Sequence, residues 1–149
     1  MITHKKGNLL SAKETVIAHQ VNCFGGAAGL AAAIFRKWPT AERDYQQLIK
    51  RCQPKALLGM SQLTGQQRDG HIICNLFGQY EPGPAYNPKR LEQALEMLGN
   101  TARIMNWSVA LPYKLSCGIA GGDWNEVLQI IERTMDGVDC VIYQKEDHE

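Results

Sequence analysis

One stretch constrains this chain more than any other: Val16-Ile-Ala-His-Gln-Val-Asn-Cys-Phe-Gly-Gly-Ala-Ala-Gly-Leu-Ala-Ala-Ala-Ile34. The apolar run Val16 to Val21 reads as a buried strand. It breaks at Gly25, Gly26 and Gly29, and an Ala-rich run from Leu30 to Phe35 then reads as a helix. A strand, a glycine loop and a helix N-terminus form a setting for anions. Glycines let backbone N–H groups come close, and the first helical turn has N–H groups without partners in the helix. The helix dipole adds about half a positive charge there. The spacing excludes a P-loop, since no Gly-Lys-Ser/Thr follows, and does not match G-x-G-x-x-G. A tight strand-to-helix turn explains the glycines equally well. Asn22 shifts the balance, because a carboxamide at the strand end can both donate to and accept from a sugar hydroxyl.

The formal net charge of the 149 residues is +1, so no broad basic field draws in nucleic acid, and an anion must be held by local backbone donors. No apolar run reaches the roughly 20 residues of a membrane span. Met1-Ile-Thr-His-Lys-Lys is not followed by an apolar segment, so a signal peptide is not expected. The five cysteines, Cys23, Cys52, Cys74, Cys117 and Cys140, are odd in number and widely spaced, with no C-x-x-C. That pattern predicts free thiols in a reducing cytoplasm, without a disulfide framework or a metal site.

A single domain over 1–149 is expected. Ile2 to Lys6 reads as a short edge strand. Pro39 opens a helix with Ala41, Tyr45, Leu48, Ile49 and Cys52 on one face, and Gln53-Pro54 ends it. Met60 to Leu63 and His71 to Phe77 read as a hairpin turning at Asp69-Gly70. Gly78 to Pro88 is a loop rich in Gly, Pro and Tyr. Leu91, Ala94, Leu95, Leu98, Ala102 and Met105 share one face of a helix over Pro88 to Asn106. Trp107 to Leu111 is a buried strand, Tyr113 to Gly122 a second glycine-containing loop, and a last helix starts at Asp123. Asp123 and Glu126 have the spacing of a capping box. Val138 to Tyr143 is the final strand, and the last six residues read as a charged, frayed tail. These elements predict an α/β fold, a three-layer α/β/α sandwich with a mixed central sheet.

Both glycine loops leave the C-terminal ends of core strands and lead into helices. Such loops share one rim of the sheet, where ligands bind in α/β folds. Two helix N-termini facing one crevice suit a ligand with two phosphates, or with phosphate between two sugars.

Gly7-Asn8-Leu9, then Gln20-Val21-Asn22-Cys23 with Gly29-Leu30-Ala31, then Leu111-Pro112-Tyr113-Lys114-Leu115-Ser116-Cys117-Gly118-Ile119-Ala120-Gly121-Gly122-Asp123-Trp124, resemble a macro domain. The blocks stand in the family's order over nearly the whole chain. They most resemble the branch of the terminal ADP-ribose glycohydrolases and their bacterial and phage relatives. The resemblance implies binding of ADP-ribose or a close derivative, without a cofactor. It implies hydrolysis of ADP-ribose 1''-phosphate or of ADP-ribosyl-protein as candidate activities, with an ADP-ribosylated protein as a partner. Asn8 and Leu9 would lie at the adenine and Asn22 at the distal ribose. Gly25, Gly26, Ala27 and Gly29 would wrap the diphosphate and that ribose. Ser116, Cys117, Gly118, Ile119, Ala120, Gly121 and Gly122 would form the second phosphate loop, and Tyr143 would pack on the adenine. Asn8 stands where the family usually has Asp, and the first loop is one residue shorter than is common. The lysine and aspartate of the deglycosylating members have no counterpart in Leu76-Phe77-Gly78-Gln79-Tyr80 or in Gly118-Ile119-Ala120-Gly121. A non-catalytic ADP-ribose-binding module, and an enzyme acting on another nucleotide, remain as alternatives.

His19 lies inside the strand and reads as a hydrogen-bonded core residue, with Gln20 and Asn22 on the opposite face by alternation. Cys23 and Cys117 flank the two loops without a base to activate them, and read as packing residues. Tyr80 and Tyr86 read either as parts of a lid or as scattered surface aromatics, and Lys114 reads either as a phosphate contact or as an ordinary exposed lysine beside a loop.

Overall fold

The computed structural model describes residues 1–146. Six strands form one mixed sheet in the order β1-β6-β5-β2-β4-β3. They are β1 (Ile2–Lys6), β2 (Val16–Gln20), β3 (Ser61–Leu63), β4 (Ile72–Leu76), β5 (Val109–Pro112) and β6 (Cys140–Gln144). All pairings are parallel except β3 with β4. The central strands are buried on both faces, as a parallel sheet between helix layers must be. All four β5 residues are buried, as are four of the five in β2.

Strand alternation splits the core in two. Val16, Ala18, Cys74, Leu76, Val109 and Leu111 face helices α4 (Pro88–Met105) and α5 (Trp124–Thr134). Ile17, Val21, Ile73, Phe77 and Ala110 face α1 (Gly29–Lys37) and α2 (Pro39–Arg51). The result is the expected three-layer sandwich. Helix α4 starts at Pro88, with the Asn87 side chain accepting from the Arg90 amide, and ends at left-handed Asn106. Gly99 lets α5 come close, since a Cβ there would stand 2.1 Å from the Thr134 carbonyl oxygen.

Three local expectations change. Gln53-Pro54 does not simply end a helix, because Pro54–Leu57 forms the single turn α3, too short to leave a periodic signal. The capping box at α5 is half formed: the Asp123 carboxylate accepts from the Asn125 amide, whereas the Glu126 carboxylate receives the Tyr86 hydroxyl proton. Gln144, the first of the last six residues expected to fray, belongs to β6, and 147–149 lie outside the described residues. Among the described residues no helix is long and apolar enough to cross a membrane.

A polar chain crosses the α2 side of the core. His19 is fully buried, with Nε2 2.7 Å from Asn75 Oδ1. Asn75 Nδ2 donates to Gln62 Oε1, and Gln62 Nε2 donates to the Asp44 carbonyl. Those donors leave Oδ1 as the group that faces His19, so the imidazole carries its proton on Nε2. Burial holds the His19 pKa at about 4. Unfolded, His19 titrates near 6.5, so its contribution to stability is full above that value and is lost as the pH falls toward 4. That loss is roughly 3 kcal/mol. Urea unfolding from pH 7 to 4 should show a falling midpoint in the wild type. His19→Gln, which keeps a donor for Asn75, should show a flatter profile.

Candidate functional site

A crevice of about 550 Å³ opens at the C-terminal rim of the parallel strands. One wall is the end of β2 and the start of α1, including Asn22, Ala28, Gly29, Leu30 and Ala31. The other is the loop from Pro112 to Ala120, and Gln79, Pro82 and Gly83 close one side. No carboxylate and no histidine is among the lining residues; Lys114 is the cation.

The first loop is held by the helix behind it. Tyr45 is fully buried on α2, and its hydroxyl donates to the Asn22 carbonyl at 2.7 Å while accepting from the Gly25 amide at 3.1 Å. Burial pushes this phenol up to about 12, so it keeps the proton that the arrangement requires. Gln46 Nε2 donates to the Gly25 carbonyl. Asn22 turns inward on the same loop: its Oδ1 accepts from the Phe24 amide and its Nδ2 donates to the Gly26 carbonyl. β2 ends at Gln20, yet Gln20 and Asn22 both line the crevice, as alternation places them, and Asn22 Oδ1 also lies 3.3 Å from the Tyr45 hydroxyl.

Helix α1 brings an open anion-binding end to the crevice. No side chain caps Ala28 and no acidic residue lies in the first turn. Gly29 has φ +55° and so makes the entry a side chain would strain. At α5 the expected second helix end does not face the crevice. Asp123 covers it, and Gly121 and Gly122 make the turn rather than the wall. A Cβ at Gly122 would lie 2.6 Å from the Ser116 carbonyl oxygen and 2.8 Å from the Tyr86 ring. The Gly122 amide donates to that carbonyl, and the Tyr86 amide donates to the Ala120 carbonyl. Gly118, Ile119 and Ala120 line the crevice, and their amides make no hydrogen bond within the described residues.

Of the residues expected from the sequence, the crevice brings together Asn22, Gly29, Ser116, Cys117, Gly118, Ile119 and Ala120. Gly25, Gly26 and Ala27 shape the loop behind it. Asn8, Leu9 and Tyr143 share the rim but do not line the crevice. The Asn8 side chain accepts from the Leu10 amide, Leu9 is buried, and the Tyr143 hydroxyl donates to Glu14. Gln20 and Gln79 are functional candidates that local pattern did not single out. The hint for Gln20 was its place on the strand face opposite His19. Gln79 lies in the segment Leu76 to Tyr80, which has no lysine.

The thiols are poor nucleophiles. Burial pushes Cys23 up to about 11, and its Sγ donates to the Gln79 carbonyl. Burial and the Asp123 carboxylate raise Cys117, against the opposing pull of Lys114.

This architecture has solved counterparts. No protein-family model matches the chain. It is 31% identical to the macrodomain of Mycobacterium tuberculosis DarG, covering 96% of this chain and 97% of that one with a TM-score of 0.83. It is 27% identical over 143 residues to an ADP-ribose 1''-phosphate phosphatase of Lodderomyces elongisporus, covering 88% of this chain and 87% of that protein. Thermosipho africanus DarTG, solved in complex with ADP-ribose, shares the fold at 17% identity and a TM-score of 0.79, with 99% of this chain matching 42% of that one. The chain belongs to the macrodomain family.

The Tyr45 hydroxyl both holds the first loop and satisfies two part-buried backbone groups. Tyr45→Phe should lower unfolding stability by about 1–3 kcal/mol, the cost of leaving the Gly25 amide and the Asn22 carbonyl without their partner. Amide exchange at Gly25 should accelerate with it.

Proposed function

We propose that this macrodomain binds ADP-ribose or a close derivative in the crevice at the rim of its sheet. The observation that carries the reading is the crevice itself. It has unpaired amides on both walls, one lysine and no carboxylate, in a chain whose relatives include ADP-ribose 1''-phosphate phosphatases. The α1 first turn and the Gly118–Ala120 amides offer donors to a diphosphate from opposite sides. Asn22 and Ser116 offer polar side chains beside them. Asn8, Leu9 and Tyr143, on the same rim, extend the site toward a base.

Hydrolysis is the second part of the proposal, and it takes a particular form here. His19 is buried away from the crevice, the thiols are raised, and no wall residue is a carboxylate. Water attack on ADP-ribose 1''-phosphate, or on the bond between ribose and protein, would rest on orientation and on amides that stabilise developing negative charge. A cytosolic location fits the same reading, since all five cysteines are free thiols.

ADP-ribose at about 100 times its dissociation constant should stabilise the fold by roughly 2.7 kcal/mol. For a domain of this size that is a rise of several degrees in Tm. AMP and NAD at equal concentration should give less. Equal shifts from all three would point to an enzyme of another nucleotide, and no shift from ADP-ribose would sink the reading.

Phosphate release from ADP-ribose 1''-phosphate separates enzyme from binding module. The wild type should release phosphate, and Asn22→Ala should be at least about tenfold slower, because it loses both a crevice side chain and the tie to Gly26. Tight ADP-ribose binding without phosphate release would leave the binding module alone standing.

A further inference from the structure

Three side chains run along the crevice in one hydrogen-bonded line. Ser116 Oγ is 2.8 Å from Gln20 Oε1, and Gln20 Nε2 is 2.9 Å from Gln79 Oε1. Gln79 Nε2 faces two backbone carbonyls, Glu81 at 2.8 Å and Gly83 at 2.9 Å. Those carbonyls give the line its direction. A carbonyl only accepts, so the end of Gln79 that meets them must be the amide nitrogen. Its oxygen therefore faces Gln20, which must present nitrogen in turn. The oxygen of Gln20 is then left for Ser116, and the Ser116 hydroxyl must donate. Gly78 leaves room for this, since a Cβ there would sit 2.6 Å from Gln20 Oε1. Ser116 is held in place for the contact at φ +67°, a conformation that side chains rarely adopt.

With its proton committed to Gln20, Ser116 Oγ keeps only lone pairs for a ligand. An ionised phosphate oxygen has no proton to give and would be repelled. A sugar hydroxyl has one. We infer that Ser116 is a specificity-determining residue that reads a hydroxyl of the ligand's terminal sugar, and that Gln20 and Gln79 are the positioning residues that make it an acceptor. The anionic part of the ligand is left to the amides of Gly118–Ala120, to α1 and to Lys114. This assignment rests on the ADP-ribose reading and deepens it.

Calorimetric titration of the wild type, Ser116→Gly and Gln79→Glu with ADP-ribose and with ADP tests it. ADP lacks the terminal sugar. Glycine adopts a positive φ freely, so Ser116→Gly removes the hydroxyl without straining the loop. Its Tm, which should be no lower than that of the wild type, checks the fold. ADP-ribose should bind roughly tenfold more weakly to Ser116→Gly, while ADP stays within about twofold. Gln79→Glu puts a carboxylate oxygen against the two carbonyls and breaks the line at its far end. Its carboxylate repels the diphosphate of both ligands, and the broken line should weaken ADP-ribose more than ADP. The double variant should lose less of that difference than the product of the two single losses. Unchanged ADP-ribose affinity in Ser116→Gly, or an equal loss for both ligands, overturns the assignment of Ser116. A selective loss in Ser116→Gly alone overturns the positioning role of Gln79. Absence of ADP-ribose binding in the wild type is a different result, since it removes the functional reading together with this one.

Discussion

A backbone carbonyl can accept a hydrogen bond and never donate one, and that asymmetry organises the interior of this domain on both sides of β2. His19 and Gln20 are consecutive and point to opposite faces. On the α2 face the Asp44 carbonyl orients Gln62, which orients Asn75, which decides the tautomer of His19. On the other face the Glu81 and Gly83 carbonyls orient Gln79, then Gln20, then the Ser116 hydroxyl. Neither chain contains a charged group. Each is paired link by link, with His19 Nδ1 left as a buried atom without a partner at the core end, and such pairing lets buried polar groups specify a structure. One ends in the core and fixes a neutral imidazole. The other ends in the crevice, where its last oxygen has capacity left for a ligand.

The same economy appears in the two loops. Amides that shape a loop are consumed within it, and one part of the crevice wall keeps amides left over. Gly25 gives its N–H to Tyr45, and Gly121 and Gly122 give theirs to Gly118 and Ser116. Gly118, Ile119 and Ala120, on the wall, have made no such bond among the described residues. The division explains why the glycines that catch the eye are not all binding residues. Gly122 is there because Ser116 and Tyr86 leave no room for a Cβ. The two helix ends divide in the same way. Asp123 neutralises the dipole of α5, and the uncapped α1 keeps its own for the crevice.

Legibility in the sequence follows the range of the interaction that decides each feature. The run from Val16 through the glycines to α1, and the apolar face of α4, are set by neighbours within a few residues, so periodicity exposes them. The pairing of β1 with β6 is between chain ends, with Ile2 beside Cys140, and no local pattern records it. The crevice divides likewise. Asn22, Gly29 and the 116–120 segment were legible because each sits at a strand end or a helix start. Gln79 was not, because its role exists only through Gln20, on another strand, and through two carbonyls of its own loop. Asn22 lines the crevice together with Gln20, as alternation places it, although β2 itself ends at Gln20.

A lysine at the position of Gln79 would bring one positive charge and three donors, and it could not accept from Gln20. The Gln20 carboxamide would then have reason to turn, with its oxygen toward the cation. Its nitrogen would face Ser116, and the Ser116 hydroxyl would become free to donate. A single exchange of carboxamide for ammonium thus reverses the polarity of a line that ends about two side chains away. The crevice of this chain lacks both that cation and a wall carboxylate. On the proposed reading, its polar side chains hold and orient a sugar, and turnover rests on how the ligand is placed.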